Sequence, residues 1–212
     1  MKTDIIDLRS DTVTKPTPAM MEAVMKAELG DDVFNEDPTV NALQKYAAEL
    51  FGMEEGLFCS SGTQTNQIAI KLHTQPGDEV ICDALSHVYL YEGGGIAFNS
   101  GASVRLIRSE RGMFAAEDVL GNINDDNVHF PASRLVCIEN TVNKGGGACW
   151  DWHELQKIKD VCVNNKLAFH LDGARLFNAM VATGQDPKQY GQLFDTISIC
   201  LSKGLGAPVG SL

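Results

Sequence analysis

The feature of this sequence that most restricts its fold is a regular alternation of short apolar runs with segments of helical periodicity. The strand-like runs are Gly56–Ser60, Glu79–Asp83, Val104–Arg108, Leu135–Glu139, Leu167–Asp172 and Thr196–Ser202. Apolar residues recur at helical spacings in Thr39–Phe51, Thr63–His73, Ala115–Leu120 and Trp152–Asn164. Such alternation is typical of βαβ units. It predicts an α/β fold of three layers, with a mostly parallel sheet between two layers of helices.

Charge and composition exclude several classes of protein. The formal net charge of −11 leaves no basic surface for nucleic acid or an anionic membrane. The six cysteines form no C-x-x-C pair and have no metal-ligand spacing. No apolar run approaches the roughly 20 residues that a membrane span needs, and Met1–Asp7 is charged too early for a signal peptide. We therefore expect a cytoplasmic, soluble protein with no disulfide and no metal.

Two motifs bring an amine and a carboxylate to the ends of predicted strands. Lys203 lies in Leu201–Gly206, and Asp172 lies in His170–Arg175. Ligands of open α/β sheets bind outside the carboxyl ends of the strands. There a lysine can form a Schiff base with pyridoxal phosphate, while an aspartate keeps the pyridine nitrogen protonated so that the ring accepts electrons. Either residue alone would be an ordinary loop lysine or helix-capping aspartate, but the pair favours a cofactor site.

A third candidate is the turn Ser60–Asn66, which opens a predicted helix. The start of a helix offers unpaired N–H groups and the positive end of the helix dipole, which together can hold a phosphate. Gly62 would let the backbone approach the ligand closely, and Thr63 would add a hydroxyl donor. The alternative is simple N-capping by serine or threonine, because many helices start this way.

His87 and Arg175 are further candidates. His87 follows the strand-like run that ends at Asp83, where its imidazole can stack on a pyridine ring or act as a base. Arg175 follows Asp172 by three residues, and its fixed fork of donors suits a carboxylate or a phenolic oxygen. A structural histidine and a helix-surface arginine are the alternatives.

Five segments of the chain resemble one enzyme family: Asp7–Pro16, Gly30–Thr39, Ser61–Gln67, His170–Arg175 and Leu201–Ser211. They are similar, in order and over nearly all 212 residues, to the low-specificity L-threonine aldolases. These are pyridoxal phosphate enzymes of the aspartate-aminotransferase fold, fold type I. The resemblance implies cleavage of L-threonine or L-allo-threonine to glycine and acetaldehyde, in glycine biosynthesis or threonine catabolism.

The resemblance implies that seven residues form the site: Ser10, Gly62, Thr63, His87, Asp172, Arg175 and Lys203. Lys203 would be the Schiff-base lysine and Asp172 the partner of the pyridine nitrogen. His87 would stack on the ring and serve as a catalytic group. The phosphate would lie at Gly62 and Thr63. The remaining two, Ser10 and Arg175, would contact the substrate carboxylate or the phenolic oxygen of the cofactor.

The chain departs from the family pattern in two respects. Val142 replaces the usual histidine in the run Glu139–Asn143. We expect Val142 to leave an apolar wall beside the substrate hydroxyl, so that His87 or a water takes the proton and both isomers of threonine are accepted. We also expect residues 1–212 to be an amino-terminal arm plus the large cofactor-binding domain, with the small carboxy-terminal domain missing. The resemblance implies a homotetramer made of two dimers.

Two alternatives remain from the residues themselves. A β-eliminating lyase or an aminotransferase of the same fold would use the same Asp172 and Lys203. A non-catalytic α/β protein could instead bind a phosphorylated ligand at Gly62 and Thr63, without forming any bond to a lysine.

Overall fold

A five-stranded sheet forms the centre of the computed structural model, which describes residues 6–212. Its strands lie in the order β2-β1-β3-β4-β5, and every neighbouring pair is parallel. The strands are β1 Asp78–Asp83, β2 Ser103–Ile107, β3 Ala132–Glu139, β4 Ala168–Gly173 and β5 Thr196–Ile199. The prediction of a mostly parallel α/β sheet is therefore confirmed.

Within residues 6–212, eight α-helices surround or extend this sheet. They are α1 Pro18–Lys26, α2 Pro38–Phe51, α3 Gly62–His73, α4 His87–Leu90, α5 Ala116–Gly121, α6 Trp152–Asn164, α7 Leu176–Thr183 and α8 Pro187–Leu193. Their starts follow ordinary capping chemistry: Asp37 accepts from two amides of the first turn of α2, and Asp151 accepts from Glu154 at the start of α6. The four predicted helices are present, and α6 has the predicted bounds.

The alternating side chains of the strands supply two separate cores, one on each face. On one face Ile70 of α3 packs with Val80 and Cys82 of β1 and Leu135 of β3. On the other face α6 packs Leu155 and similar residues against alternate side chains of β3 and β4, including Val136, Ile138, Phe169 and Leu171. The predicted arrangement of helix, sheet and helix layers is thus confirmed.

Two of the strand predictions are wrong: one strand is absent and the other is shorter than predicted. Gly56–Ser60 is not a strand, because only Cys59 pairs there, through an antiparallel bridge to Ser211. A single bridge satisfies the polar groups of one residue and does not propagate a ladder. The strand predicted over Thr196–Ser202 ends at Ile199, since Leu201 instead bonds across a turn to Gly210 and Ala207. Lys203 consequently lies in a loop that folds back on itself.

The first five residues, which include most of the charged amino terminus discussed above, lie outside the described residues. Within residues 6–212, no helix has the length and apolar character required to cross a membrane.

Candidate active site

Asp172 is held in a fixed position near the end of β4. Its side chain faces α3, and the residue is only 3% exposed. One carboxylate oxygen, Oδ2, accepts from Nδ2 of Asn66 at 3.0 Å, and Oδ1 accepts from the Ala174 amide at 3.2 Å. Two donors aimed at a buried carboxylate fix its direction.

Asn66 joins Asp172 to a second buried carboxylate, that of Glu92. Nδ2 of Asn66 donates to Oε1 of Glu92 at 2.8 Å, and Gln67 donates to Oε2 at 2.6 Å. Nδ1 of His87 lies 2.9 Å from Oε1 of Glu92. Polar atoms of His87, Glu92 and Asp172 all lie within 4.8 Å of one another. The structure thus brings two of the predicted residues, His87 and Asp172, into one cluster.

The surroundings of His87 make its imidazole more basic than usual. The hydrogen bond with Glu92 is the main cause that raises the pKa of His87, and the charges of Asp172 and Glu139 add to it. Burial acts in the opposite direction but does not prevail. An imidazole of raised pKa at the start of α4, a few residues beyond the end of β1, suits proton transfer.

Glu139 lies beside Asp172 in the register of β3 and β4. Its two oxygens accept from the backbone amides of His87 and Asn143, at 3.0 and 2.9 Å. Burial, followed by the neighbouring charge of Asp172, raises the pKa of Glu139. Glu139 therefore fixes the start of α4, and with it the backbone of His87.

The start of α3 contains Gly62 and Thr63, the residues predicted to hold the phosphate. Ser61 caps the helix, its hydroxyl accepting from the Gln64 amide at 3.3 Å. Gly62 packs so closely that an added Cβ would stand 2.7 Å from Sγ of Cys200. Thr63 is exposed, so its hydroxyl is open to a ligand. Because Asn66 lies one helical turn after Gly62, α3 links this site directly to Asp172.

Ser10 and Arg175, predicted to contact the substrate, line one cavity of about 440 Å³. Arg175 immediately precedes α7, and its side chain is already partly engaged. Nε and Nη2 donate to the two carboxylate oxygens of Asp11, at 2.6 and 2.9 Å. Only the remaining N–H groups of the guanidinium are therefore available to bind a substrate. Ser10 is likewise engaged within the arm, as its hydroxyl accepts from the Thr12 amide and hydroxyl.

Lys203 is half-buried in the loop that follows β5. Its carbonyl oxygen accepts from the hydroxyl of Thr14 at 2.8 Å, so the amino-terminal arm lies against this loop. The pKa of Asp11 is lowered chiefly by its bonds with Arg175, and the charge of Lys203 contributes. The arm therefore brings Lys203 and Arg175 to the same region, although Lys203 does not line the cavity described above.

Comparison with known proteins assigns the chain to a family. The family described as beta-eliminating lyase matches residues 7–212. The chain belongs to this family. Pyridoxal 5′-phosphate is the family's cofactor, which confirms the cofactor predicted from the sequence.

Several curated relatives of the chain carry the same name. A low specificity L-threonine aldolase of Escherichia coli (strain K12) is 46% identical over 98% of this chain and 62% of its own length. A protein of the same name from Saccharomyces cerevisiae is 44% identical over 97% of this chain and 54% of its own length. This chain thus spans little more than half the length of these curated relatives. The predicted resemblance is confirmed.

A solved structure agrees with the sequence comparison. The structure of Leishmania major threonine aldolase superposes with a TM-score of 0.83, at 26% identity, over 95% of this chain and 60% of its own. The prediction of fold type I is confirmed by this likeness and by the parallel sheet.

The residues present fit the family's cofactor. A buried carboxylate with fixed direction stands at the end of β4, and at the start of α3 Gly62 packs on Cys200 so closely that a Cβ has no room. A lysine lies in the loop after β5. These groups match the pyridine nitrogen, the phosphate and the aldehyde of pyridoxal phosphate in chemical type.

The structure places Val142 in the core, and the acceptance of both threonine isomers stays a prediction. This residue is 1% exposed and belongs to the larger core cluster, rather than to the lining of the cavity beside Arg175. One of its methyl groups stands 2.7 Å from the place that a Cβ on Gly112 would occupy, and 3.1 Å from that on Gly145. Two glycines therefore make room for a valine that packs inward.

Sequence reasoning assigned no function to several residues that organise the site: Asp11, Asn66, Glu92, Glu139 and His170. One signal was available, since Asn66 and Gln67 are polar residues on the inward face of a helix whose neighbours Ala69 and Ile70 are apolar. Buried polar residues of this kind require hydrogen-bond partners. The identity of those partners depends on tertiary structure and could not be read from the chain.

Proposed function

We propose that the full-length protein is a pyridoxal phosphate-dependent aldolase that cleaves L-threonine or L-allo-threonine to glycine and acetaldehyde. The observation that carries the proposal is the bond between Asn66 and Asp172, which joins a phosphate-type helix start to a buried carboxylate. The names of the relatives direct the choice of substrate.

Five residues would hold the cofactor. Lys203 would bind it covalently through Nζ, and Asp172 would bond the pyridine nitrogen. The amides at Gly62 and the hydroxyl of Thr63 would hold the phosphate, and the imidazole of His87 would stack on the ring. When bound, the cofactor supplies a protonated ring that withdraws electrons from the α-carbon of the substrate.

Other groups would bind and orient the amino acid. The donors of Arg175 that Asp11 leaves free, with the hydroxyl of Ser10, would contact the substrate carboxylate or the phenolic oxygen of the cofactor. His87, in its neutral form, would accept the proton of the β-hydroxyl, and its raised pKa makes it a stronger base for that step.

β-Elimination is the second candidate, because the family takes its description from that reaction. It would use the same Asp172 and Lys203 but would release pyruvate and ammonia from a substrate such as L-serine. The products distinguish the two reactions.

The test is an assay of the full-length protein, loaded with cofactor, on L-threonine, L-allo-threonine and L-serine. We expect acetaldehyde and glycine from the threonine isomers, and loss of this activity in Lys203→Ala but not in the surface control Lys188→Ala. Pyruvate from serine without acetaldehyde from threonine would replace the proposal by β-elimination. No product from any of them would refute both.

The proposal extends to assembly, location and organisation. Residues 1–212 would form an arm and the cofactor-binding domain of a cytoplasmic homotetramer composed of two dimers. Apolar side chains of α1 and the segment after it support subunit contacts, since Met25, Leu29 and Phe34 are 81%, 81% and 71% exposed. A monomer of full activity, observed by light scattering at assay concentration, would contradict this.

A further inference from the structure

Glu92 is a buried carboxylate to which the proposed reaction assigns no step. Its side chain is fully shielded from solvent. Oε1 lies 2.8 Å from Nδ2 of Asn66 and 2.9 Å from Nδ1 of His87, and Oε2 lies 2.6 Å from Nε2 of Gln67. Burying a carboxylate this deeply costs free energy unless its neighbours donate hydrogen bonds to it. Here all three partners can donate.

The direction of each hydrogen bond follows from the neighbours of Asn66. Its Nδ2 faces two carboxylate oxygens and must donate to both, so Oδ1 is the acceptor for Nε2 of His170 at 3.1 Å. Burial lowers the pKa of His170 to about 4, so this ring is neutral at pH 7 and carries its proton on Nε2. Nδ1 of His170 lies 2.9 Å from the hydroxyl oxygen of Thr196 and 3.2 Å from its carbonyl oxygen.

The same reasoning fixes the proton of His87. Because Oε1 of Glu92 can only accept, Nδ1 of His87 is the donor. Nε2 is then the ring nitrogen with a free lone pair in the neutral imidazole. A carboxylate on one nitrogen that sets the tautomer and basicity of the other is a common way to prepare a histidine for proton transfer.

We propose that Glu92 is a positioning residue for the reaction: it holds neutral His87 with the proton on Nδ1, so that Nε2 is the atom that accepts the substrate proton. Asn66 fixes Glu92 relative to Asp172, and His170 fixes the orientation of Asn66. The inference rests on the proposed function for the substrate, but the tautomer is a property of the protein alone.

The charged groups that face His87 come from several elements. Glu92 follows α4, Glu139 ends β3 and Asp172 lies in β4, and all three carboxylates stabilise the protonated ring. The ring of Tyr91 lies 5.6 Å away, centroid to centroid, and carries no charge. Glu92 makes the only side-chain hydrogen bond of His87 among the described residues, so its removal changes both tautomer and pKa.

The first measurement uses the wild-type, full-length protein without cofactor. Nitrogen-15 NMR of labelled histidine, with His87 assigned from the spectrum of His87→Gln, reports the tautomer of the neutral ring. We expect the Nδ1–H form, although free imidazole side chains prefer Nε2–H. A neutral His87 with its proton on Nε2 would overturn the proposal without any need for a variant of Glu92.

The second measurement compares Glu92→Gln with the exposed control Glu49→Gln. The amide keeps the shape of the side chain but removes its charge. We expect the pKa of His87 to fall by about one unit in the cofactor-free protein. In the loaded enzyme kcat should fall on the order of 10–100-fold with little change in KM, and the acidic limb of the pH profile should move to lower pH.

Three outcomes would contradict the role of Glu92: an unchanged His87 pKa, an equal change in Glu49→Gln, or a loss confined to KM. A merely structural Glu92 would lower stability without moving the pH profile. The aldolase proposal itself would fail on a different result, namely that the wild-type enzyme releases no acetaldehyde. The tautomer of His87 is measured independently of that result.

Discussion

Asn66 donates to the carboxylate of Asp172 across 3.0 Å, although 106 residues separate them in the chain. This bond fastens the first turns of α3 to the carboxyl end of β4. The groups proposed to hold the phosphate and the pyridine ring therefore belong to one rigid unit. Their spacing is set by the packing of a helix on a sheet and does not depend on a flexible loop.

Asn66→Ala should lower both stability and cofactor affinity. It leaves Asp172, Glu92 and His170 each short of a buried hydrogen-bond partner, and each such loss costs about 1–3 kcal/mol. Urea unfolding of the cofactor-free protein and titration with pyridoxal phosphate measure the two effects. The exposed Asn164→Ala is the control, and equal behaviour of the two variants would contradict the linking role of Asn66.

Asp172→Asn should keep the fold but lose activity by on the order of 100-fold or more. A neutral amide cannot hold a ring nitrogen in its protonated form. Absorbance of the bound cofactor and acetaldehyde release provide the measurement. Turnover close to that of the wild type would show that Asp172 does not partner the nitrogen.

Asp11→Asn should release the amino-terminal arm from Arg175. We expect trypsin to cut after Arg9 faster than in the wild type, since the two-point ion pair that holds the arm is lost. Asp125→Asn is the control, because Asp125 is exposed and lies outside the arm. Equal cleavage rates in Asp11→Asn and Asp125→Asn would contradict this role of the ion pair.

The pKa of Asp11 gives this contact a definite pH dependence. Arg175 lowers the folded-state pKa below the ordinary 3.8, so the pair contributes stability above that value. Its contribution is lost as the pH falls through the lowered pKa. Protection of the arm's amides from hydrogen exchange, corrected for the intrinsic exchange rate at each pH, should therefore be higher at neutral pH and fall only in strong acid.

Val142→His should destabilise the protein instead of restoring a family-like site. The side chain packs against Gly112 and Gly145, so a larger polar ring would overpack the core at a cost of about 1–3 kcal/mol. Thermal unfolding measures this loss of stability, with Val163→His at an exposed position as the control. A stable Val142→His with altered preference between the threonine isomers would show that position 142 does reach the substrate.

The sequence predicted the layered fold because hydrophobic periodicity is local and each helix and strand carries its own pattern. It predicted Asp172 and Lys203 for the same reason, since each follows a run that reads as a strand. It could not predict the inward packing of Val142 or the bridging by Asn66. Both depend on partners more than 25 residues away in the chain, namely Gly112 for Val142 and Glu92 and Asp172 for Asn66.

The most direct test of the proposed cofactor site is to locate the lysine that binds pyridoxal phosphate. The full-length, cofactor-loaded protein is reduced with borohydride, digested, and its labelled peptide identified by mass spectrometry. We expect the label on Lys203, in the loop after β5. Label on Lys166, Lys188 or another lysine, with Lys203 unmodified, would contradict it.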